Sequence, residues 1–329
     1  MYLIKKYFAG QTIEVQKTYT ARQAPRNVKA DAESHRPTRE AVQKYNQKLA
    51  ERELARILNA NFQPRDLHLV LTYRRGERPD EAGAKRDLDN FIERARRYYR
   101  KRGKEFKWVA TTARGERGAL HHHLIISRMD VLDLPQLWSG GYHYTPLYRY
   151  PDYTALAVYI AHQNRSVLTG DGVIRRRRWS GSKNLVRPKP EVKQVDAKTW
   201  REPPKPVKGY IISPESIDAG INPVTGIPYL FYRMVRIPDN AAATTEDGVR
   251  LRGKKAIRYL HDQNERDIRE HWNPQERCLR NIEQGGDDND KTIWGAYPDR
   301  ERGTAMFVSL GGICAGGASR ASAVVSRSQ

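Results

Sequence analysis

Three consecutive histidines, His121, His122 and His123, are the residues of this chain best suited to chemistry. They lie in the segment GALHHHLII (residues 118–126), whose apolar end predicts a β-strand. Because successive side chains of a strand point to opposite faces, His121 and His123 share one face, and His122 shares the other with Leu124. Paired imidazoles suit a divalent cation, completed by a carboxylate and water. We therefore expect His121 and His123 to bind Mn²⁺ or Mg²⁺. The alternative is a chance histidine run in a surface strand.

A tyrosine outside the apolar stripe of a predicted helix is the candidate nucleophile. The segment YTALAVYIAHQ (residues 153–163) predicts a helix, and the i, i+3, i+4, i+7 spacing places Tyr153 on its apolar stripe. Tyr159 falls off that stripe, and His162 lies on the polar side. A tyrosine that attacks a phosphodiester forms a covalent phosphotyrosine and releases a DNA 3′-hydroxyl. The alternative for Tyr159 is an ordinary tyrosine at a helix interface.

The charge of the chain favours a polyanionic partner. Lys and Arg total 59 against 38 Asp and Glu, which gives a formal net charge of +21. An excess of this size is typical of proteins that bind nucleic acid, but it distinguishes neither DNA from RNA nor an enzyme from a binding protein.

The compartment is predicted from cysteines and apolar segments. Cys278 and Cys314 lack the CxxC spacing of a zinc module and do not form a disulfide framework. The N-terminus has no apolar run of a signal peptide, and no segment is apolar for long enough to span a membrane. We therefore expect a cytoplasmic protein without a membrane partner.

A run of arginines next to a tryptophan has the composition of a single-strand-binding segment. Arg175, Arg176, Arg177 and Arg178 would bind phosphates while Trp179 stacks on a base. The alternative is a solvated charged loop. The sequence contains no GxxxxGK[ST] motif, which indicates that the chain has no P-loop helicase of its own.

Apolar periodicity predicts the order of the elements. In the strand predicted over Asp66–Tyr73, three leucines share one face, and His68, Val70 and Thr72 share the other. The remaining predictions are helices over Thr38–Leu58, Glu81–Arg100, Leu134–Trp138, Asp152–Arg165 and Lys254–His271, strands over Phe106–Thr111, Ala119–Ser127 and Tyr142–Thr145, and short strands within 209–238. Residues 1–35 offer one short strand near Thr12–Val15, residues 175–208 are expected to be irregular, and residues 309–329 disordered.

Three segments, in this order, resemble the HUH endonucleases, specifically the replication-initiation (Rep) proteins of rolling-circle plasmids, phages and related bacterial mobile elements. LHLVLTY (67–73) resembles their first-motif strand, and the three histidines resemble the His–bulky–His motif with His122 at the bulky position. YIAH (159–162) resembles the tyrosine motif. The resemblance covers roughly residues 63–190, including RWSGSKNL (178–185), which resembles the segment after the tyrosine helix and adds Lys183 to the expected DNA contacts.

The resemblance implies a mechanism. A cation on His121 and His123 polarises the scissile phosphate, and Tyr159 attacks and stays on the 5′ end, while the 3′-hydroxyl primes rolling-circle synthesis. His162 stands where relatives usually have Lys, and a histidine there can contact phosphate or move a proton. Relatives often carry a Glu before the histidine pair; the aligned residue here is Ala113, and Glu116 is the nearby candidate for the third ligand.

We therefore expect an α+β fold, in which helices pack on one face of an antiparallel sheet (HUH nuclease, ferredoxin- or RRM-like), with flexible basic flanks. The expected parts are an N-terminal segment with a helix (1–62), the endonuclease domain (63–200), a small strand-rich extension (201–240), and a charged helix with a disordered tail (241–329). The expected partners are single-stranded DNA at a replication origin and a host helicase. A single-tyrosine transposase or relaxase, and a non-catalytic RRM-like nucleic-acid-binding protein, are the alternative functions.

Overall fold

The computed structural model describes residues 1–20, 35–74, 76–115, 117–148, 152–163, 179–197 and 202–272, and residues 22, 24, 26, 29 and 32 singly. The strands are β1 (Tyr2–Ala9), β2 (Thr12–Thr18), β3 (Leu67–Thr72), β4 (Trp108–Arg114), β5 (Leu120–Ile126), β6 (Gly141–Pro146), β7 (Ser180–Gly181), β8 (Glu191–Val195), β9 (Tyr210–Ile212), β10 (Asp218–Ile221), β11 (Pro228–Arg236), β12 (Ala242–Thr244) and β13 (Arg250–Arg252). The α-helices are α1 (Arg39–Asn61), α2 (Glu81–Lys101), α3 (Leu134–Leu137), α4 (Thr154–Gln163) and α5 (Lys254–Glu270). The predicted α+β class with antiparallel sheets is confirmed.

The chain divides into two compact units that differ from the parts expected from the sequence. The central unit is Lys48–Arg187, assigned together with Ala321–Gln329, and the outer unit combines Met1–Gln47 with Pro188–Arg320. The expected divisions near residues 62, 200 and 240 followed local changes of composition. The structure instead joins the two ends of the described chain, because their strands pair in one sheet.

The central unit is built on a five-stranded antiparallel sheet with the strand order β6-β3-β5-β4-β7. Helix α2 packs on one face of this sheet. Asp80 caps the helix by accepting a hydrogen bond from the Gly83 N–H at 2.7 Å. The buried residues of α2 include the whole predicted apolar stripe, which is Leu88, Phe91, Ile92, Ala95 and Tyr99.

The other face of the central sheet is also covered by helices, which corrects the expectation of helices on one face. Val109 of β4 and Ile125 of β5 are fully buried there, in a core formed with α4 and the C-terminal half of α1. The reason is the sequence Leu124-Ile125-Ile126, which is apolar on both faces of its strand. Such a strand loses its hydrophobic stabilisation unless both faces are removed from water.

The outer unit is built on a six-stranded antiparallel sheet with the order β10-β11-β2-β1-β8, in which β9 also pairs with β11. Helix α5 contributes Ile268 to a core with Ile13, Val15 and Leu230. The sequence predicted only a short strand in residues 1–35 and no strand in 175–208. Both expectations are wrong, because β1 is a full strand and pairs with the polar strand β8 through contacts such as Lys5 opposite Val192.

Two expectations about the C-terminal part of the chain fall outside the described residues. These are the disordered tail at 309–329 and the positions of Cys278 and Cys314. Within the part of the chain that the structure describes, no helix is both long and apolar enough to cross a membrane.

Candidate functional site

The register of three central strands gathers histidines on one face of the sheet. Strand β5 lies between β3 and β4, with His123 opposite Val70 and Thr111, and His121 opposite Thr72. Directly opposed residues of an antiparallel pair share a face. His121, His123 and the β3 residue His68 therefore lie on one face, which we call the histidine face and define by these three residues.

The imidazoles of the histidine face are close enough to act together. The ring centroids of His121 and His123 are 4.9 Å apart, with 69° between the ring planes. His68 stacks on His123 with a centroid separation of 5.5 Å and an interplanar angle of 19°. The Nε2 atom of His68 is 3.3 Å from Nδ1 of His123, which is a hydrogen-bond distance.

Helix α4 brings Tyr159 to the histidine face. Leu156, Ala157 and Ile160 anchor the helix in the core that contains Ile125. The Tyr159 ring meets the ring of His123 edge-on at 5.5 Å between centroids. It meets the His68 ring in the same way at 6.0 Å. Burial raises the pKa of Tyr159 above its ordinary value.

Tyr153, the other tyrosine of α4's segment, is part of the core. It is 2% exposed, and its backbone N–H donates to Oδ1 of Asn59 at 2.7 Å. Burial raises the pKa of its phenol to about 12. The sequence-based prediction that packing explains Tyr153 is confirmed.

Burial makes the imidazoles of the histidine face neutral. It lowers the pKa of His123 to about 2, with a further lowering by the nearby His68, His121 and His122. Burial also lowers the pKa of His68 to about 4, with a smaller contribution from His143, and it lowers the pKa of His121. A neutral imidazole keeps one lone pair, which is the form that binds a metal ion.

One nitrogen of the histidine face lacks a partner. Nε2 of His123 is buried and makes no hydrogen bond within the described residues. Buried polar atoms of this kind are rare in folded proteins, and each calls for an explanation such as an ion or a ligand. Two neutral imidazoles and an unsatisfied ring nitrogen are donors that fit a divalent transition cation, with its remaining positions left for oxygen ligands.

The described residues do not complete a metal site by themselves. Among them, no group of three or more His, Cys, Asp or Glu side chains is placed to hold a metal ion. Ala113 lies directly opposite His121, so the position aligned with the relatives' Glu has no carboxylate. Glu116, the predicted third ligand, lies outside the described residues.

His122 has a different environment from its neighbours. It is fully buried on the face covered by α2, as the strand alternation predicts. Its Nδ1 is 2.9 Å from Oγ1 of Thr112, and its Nε2 is 2.9 Å from Oη of Tyr73. Both ring nitrogens are therefore satisfied within the protein, which is typical of a structural histidine.

The remaining predicted site residues are distributed around this face. His162 is bonded through Nε2 to Oε1 of Glu51 at 2.7 Å, and both side chains are 16% exposed. Trp179 packs, partly buried, against the core that also anchors α4, with the Arg187 guanidinium carbon 5.5 Å from its ring centroid. Lys183 is exposed. Arg175, Arg176, Arg177 and Arg178 lie outside the described residues.

His68 is the residue of the histidine face that the sequence-based site did not include. It is 6% exposed and contacts both His123 and Tyr159. The sequence did contain a signal, because His68 lies on the side of its strand away from three leucines. The pairing of β3 with β5 was needed to show that this side is also the side of His121 and His123.

The segment that builds this site is similar to a known family. Residues 66–163 match the family model of the replication-associated protein ORF2. The match supports a replication protein of the Rep type. It runs from the start of β3 to the end of α4, so it contains the three histidines of the site and Tyr159. No curated protein and no solved structure matches the chain significantly.

Proposed function

We propose that this protein nicks single-stranded DNA at a replication origin through Tyr159, and so starts rolling-circle replication. The observation that carries the proposal is the position of Tyr159, whose ring lies 5.5 Å from that of His123 on the face that also presents His121. The match of this segment to replication-associated proteins supports the same role.

The chemistry is an exchange of one phosphodiester for another. Oη of Tyr159 attacks the phosphorus, the bond from Oη to phosphorus forms, and the bond from phosphorus to the 3′-oxygen breaks. The phenol proton leaves and the 3′-oxygen takes up a proton. The 5′ end remains on the protein as a phosphotyrosine, and the free 3′-hydroxyl primes synthesis. Because burial raises the pKa of Tyr159, the phenol keeps its proton at neutral pH until the attack begins.

His121 and His123 are the residues that would hold a divalent cation, Mn²⁺ or Mg²⁺. When bound, such a cation polarises the scissile phosphate and stabilises the negative charge that develops on it. The neutral state of both imidazoles, caused by burial, keeps the lone pairs that this role requires.

His162 lies on the same helix as Tyr159, one turn further along. Glu51 fixes its imidazole by the contact of 2.7 Å. In this proposal the fixed imidazole contacts a phosphate of the bound strand or moves a proton during the exchange.

The charge of the chain supplies the affinity for DNA. The net charge of +21 attracts the phosphate backbone, and Arg175–Arg178, Trp179 and Lys183 are the proposed contacts with the single strand. A host helicase is the proposed partner that unwinds the duplex.

The test is to trap and map the covalent adduct. The full-length protein is incubated with Mn²⁺ and a randomised single-stranded DNA library labelled at the 3′ end, because the 3′ fragment stays on the tyrosine. We expect an adduct that resists denaturant, with the modified peptide mapping to Tyr159. Tyr159→Phe removes only one oxygen and is expected to abolish the adduct.

Tyr153→Phe is the matched control, because it removes the same oxygen from a tyrosine of the core. It is expected to form the adduct at close to the wild-type level. An adduct that survives Tyr159→Phe and is lost in Tyr153→Phe would show that Tyr159 is the wrong nucleophile. A wild-type protein that binds the library but forms no adduct with Mn²⁺ would favour the non-catalytic binding protein. Replication of an origin-bearing circle separates an initiator from a transposase or relaxase, which perform the same cleavage.

A further inference from the structure

We propose that His68 is a positioning residue, which fixes the proton of His123 on Nδ1 and so leaves the Nε2 lone pair of His123 for the cation. The contact that carries this inference joins Nε2 of His68 to Nδ1 of His123 at 3.3 Å, between stacked rings. The inference rests on the proposed function, in which His121 and His123 hold a divalent cation.

The direction of the hydrogen bond decides which nitrogen of His123 keeps a lone pair. A neutral imidazole carries one N–H. If His68 donated to His123, the proton of His123 would lie on Nε2, which is buried and has no partner among the described residues. A buried donor without an acceptor costs about 1–3 kcal/mol. If Nδ1 of His123 donates to Nε2 of His68 instead, that cost is avoided and Nε2 is unprotonated.

The position of His68 in the sheet holds its ring in place. It lies opposite Ile125 on the paired strand, which makes His123 its diagonal neighbour on the same face. The ring is 6% exposed, with His123 stacked on it and Tyr159 edge-on to it. A ring that is packed in this way keeps one orientation and can therefore fix the tautomer and orientation of the ring that it contacts.

A positioning role agrees with the geometry better than a role as third ligand. The described residues contain no group of three such side chains placed to hold a metal ion, although His68, His121 and His123 all lie within that part of the chain. Nε2 of His68 is already directed at Nδ1 of His123. Hydrogen bonds of this kind, from a ligand histidine to a second residue, typically contribute about 10- to 100-fold in metal affinity.

The first measurement is the tautomer itself, in the metal-free, full-length protein. Proton–nitrogen correlation spectra of protein labelled with ¹⁵N-histidine distinguish a protonated from an unprotonated ring nitrogen. We expect His123 to carry its proton on Nδ1 in the wild type, and His68→Leu to move a substantial fraction of it to Nε2. A wild-type His123 that is protonated on Nε2 overturns the inference.

The second measurement is the affinity for Mn²⁺ alone, followed by the electron paramagnetic resonance signal of the free ion. His68→Leu is expected to weaken Mn²⁺ binding by about 10- to 100-fold. His68→Gln, whose amide oxygen can accept the bond from Nδ1, is expected to stay within a few-fold of the wild type. Equal losses in the two variants would overturn the hydrogen-bond role, since only the leucine removes the acceptor.

His143→Gln is the matched control for the loss of an imidazole. His143 lies opposite Val70 on the same face of the sheet, and it is exposed. Its replacement is expected to leave Mn²⁺ affinity unchanged. A loss as large as that of His68→Leu would show that the effect comes from the general polarity of this face.

The readouts also separate this inference from the proposed function. Zn²⁺, which is diamagnetic, is expected to shift the Nε2 resonance of His123 and not that of His68. A shift on His68 Nε2 would make it a direct ligand and overturn the positioning role. If Zn²⁺ shifts no histidine, the proposed metal site fails, whereas the tautomer measured in the metal-free protein still tests the hydrogen bond.

Discussion

The two faces of strand β5 place neighbouring histidines in opposite situations. His122 points into the core under α2, and the hydroxyls of Thr112 and Tyr73 satisfy both of its ring nitrogens. His123, the next residue, points to the histidine face and has a buried Nε2 without a partner among the described residues. Burial lowers the pKa of both, to about 4 for His122 and about 2 for His123.

This difference shows that burial alone does not identify a functional histidine. Both imidazoles are buried and neutral, so their pKa values shift in the same direction. Their hydrogen bonds separate them, because a satisfied nitrogen stabilises the fold and an unsatisfied one costs free energy until a ligand binds. Local sequence–structure conflicts of this kind are expected at functional sites.

The largest effect is expected from the histidine face. His121→Ala and His123→Ala should each lower the rate of DNA cleavage by on the order of 10³-fold, because the cation loses a ligand. Affinity for single-stranded DNA should change by less than about threefold, since phosphate contacts dominate it. Cleavage rates and fluorescence anisotropy measure the two quantities. Chelation should abolish cleavage and Mn²⁺ or Mg²⁺ restore it, so full activity in excess EDTA would contradict the metal assignment.

A smaller effect, and on a different quantity, is expected on the opposite face. His122→Ala should lower the free energy of unfolding by about 3 kcal/mol, because it leaves a cavity and two hydroxyls without their partner. The cleavage rate per folded molecule should remain that of the wild type. Urea unfolding followed by circular dichroism measures the stability. The exposed His143→Ala should change it by less than about 0.5 kcal/mol. If His122→Ala instead abolishes cleavage in a stable protein, the division between the two faces is wrong.

The smallest effect is expected from the arginine run, which extends the comparison from chemistry to binding. Replacing Arg175–Arg178 with Gln should weaken single-strand binding and reduce its salt slope by up to about 3, at roughly 0.7 for each phosphate that is no longer neutralised. The dependence of affinity on salt concentration measures this. A matched control removes four exposed charges from α2, on the sheet face opposite Tyr159, and should leave the slope unchanged: Arg96, Arg97, Arg100 and Lys101. Equal slopes for both variants would make the arginine run a solvated loop.

The sequence by itself determined the features that depend on local periodicity. The two-residue period of a strand placed His121 and His123 on one face and His122 with Leu124. The 3.6-residue period of a helix identified the stripe of α2 and assigned Tyr153 to the core, where it is 2% exposed. These patterns are complete within a short window, so they can be read without knowing what the segment packs against.

Tertiary structure decided which strands became neighbours. His68 is 55 residues from His123 in the chain, and only the antiparallel pairing of β3 with β5 brings their rings into contact. The same holds for β8, whose polar sequence gives no local strand pattern and which is held by backbone hydrogen bonds to β1. Strand partners and register depend on contacts between distant segments that compete with one another, and this competition has no period that a local window can show.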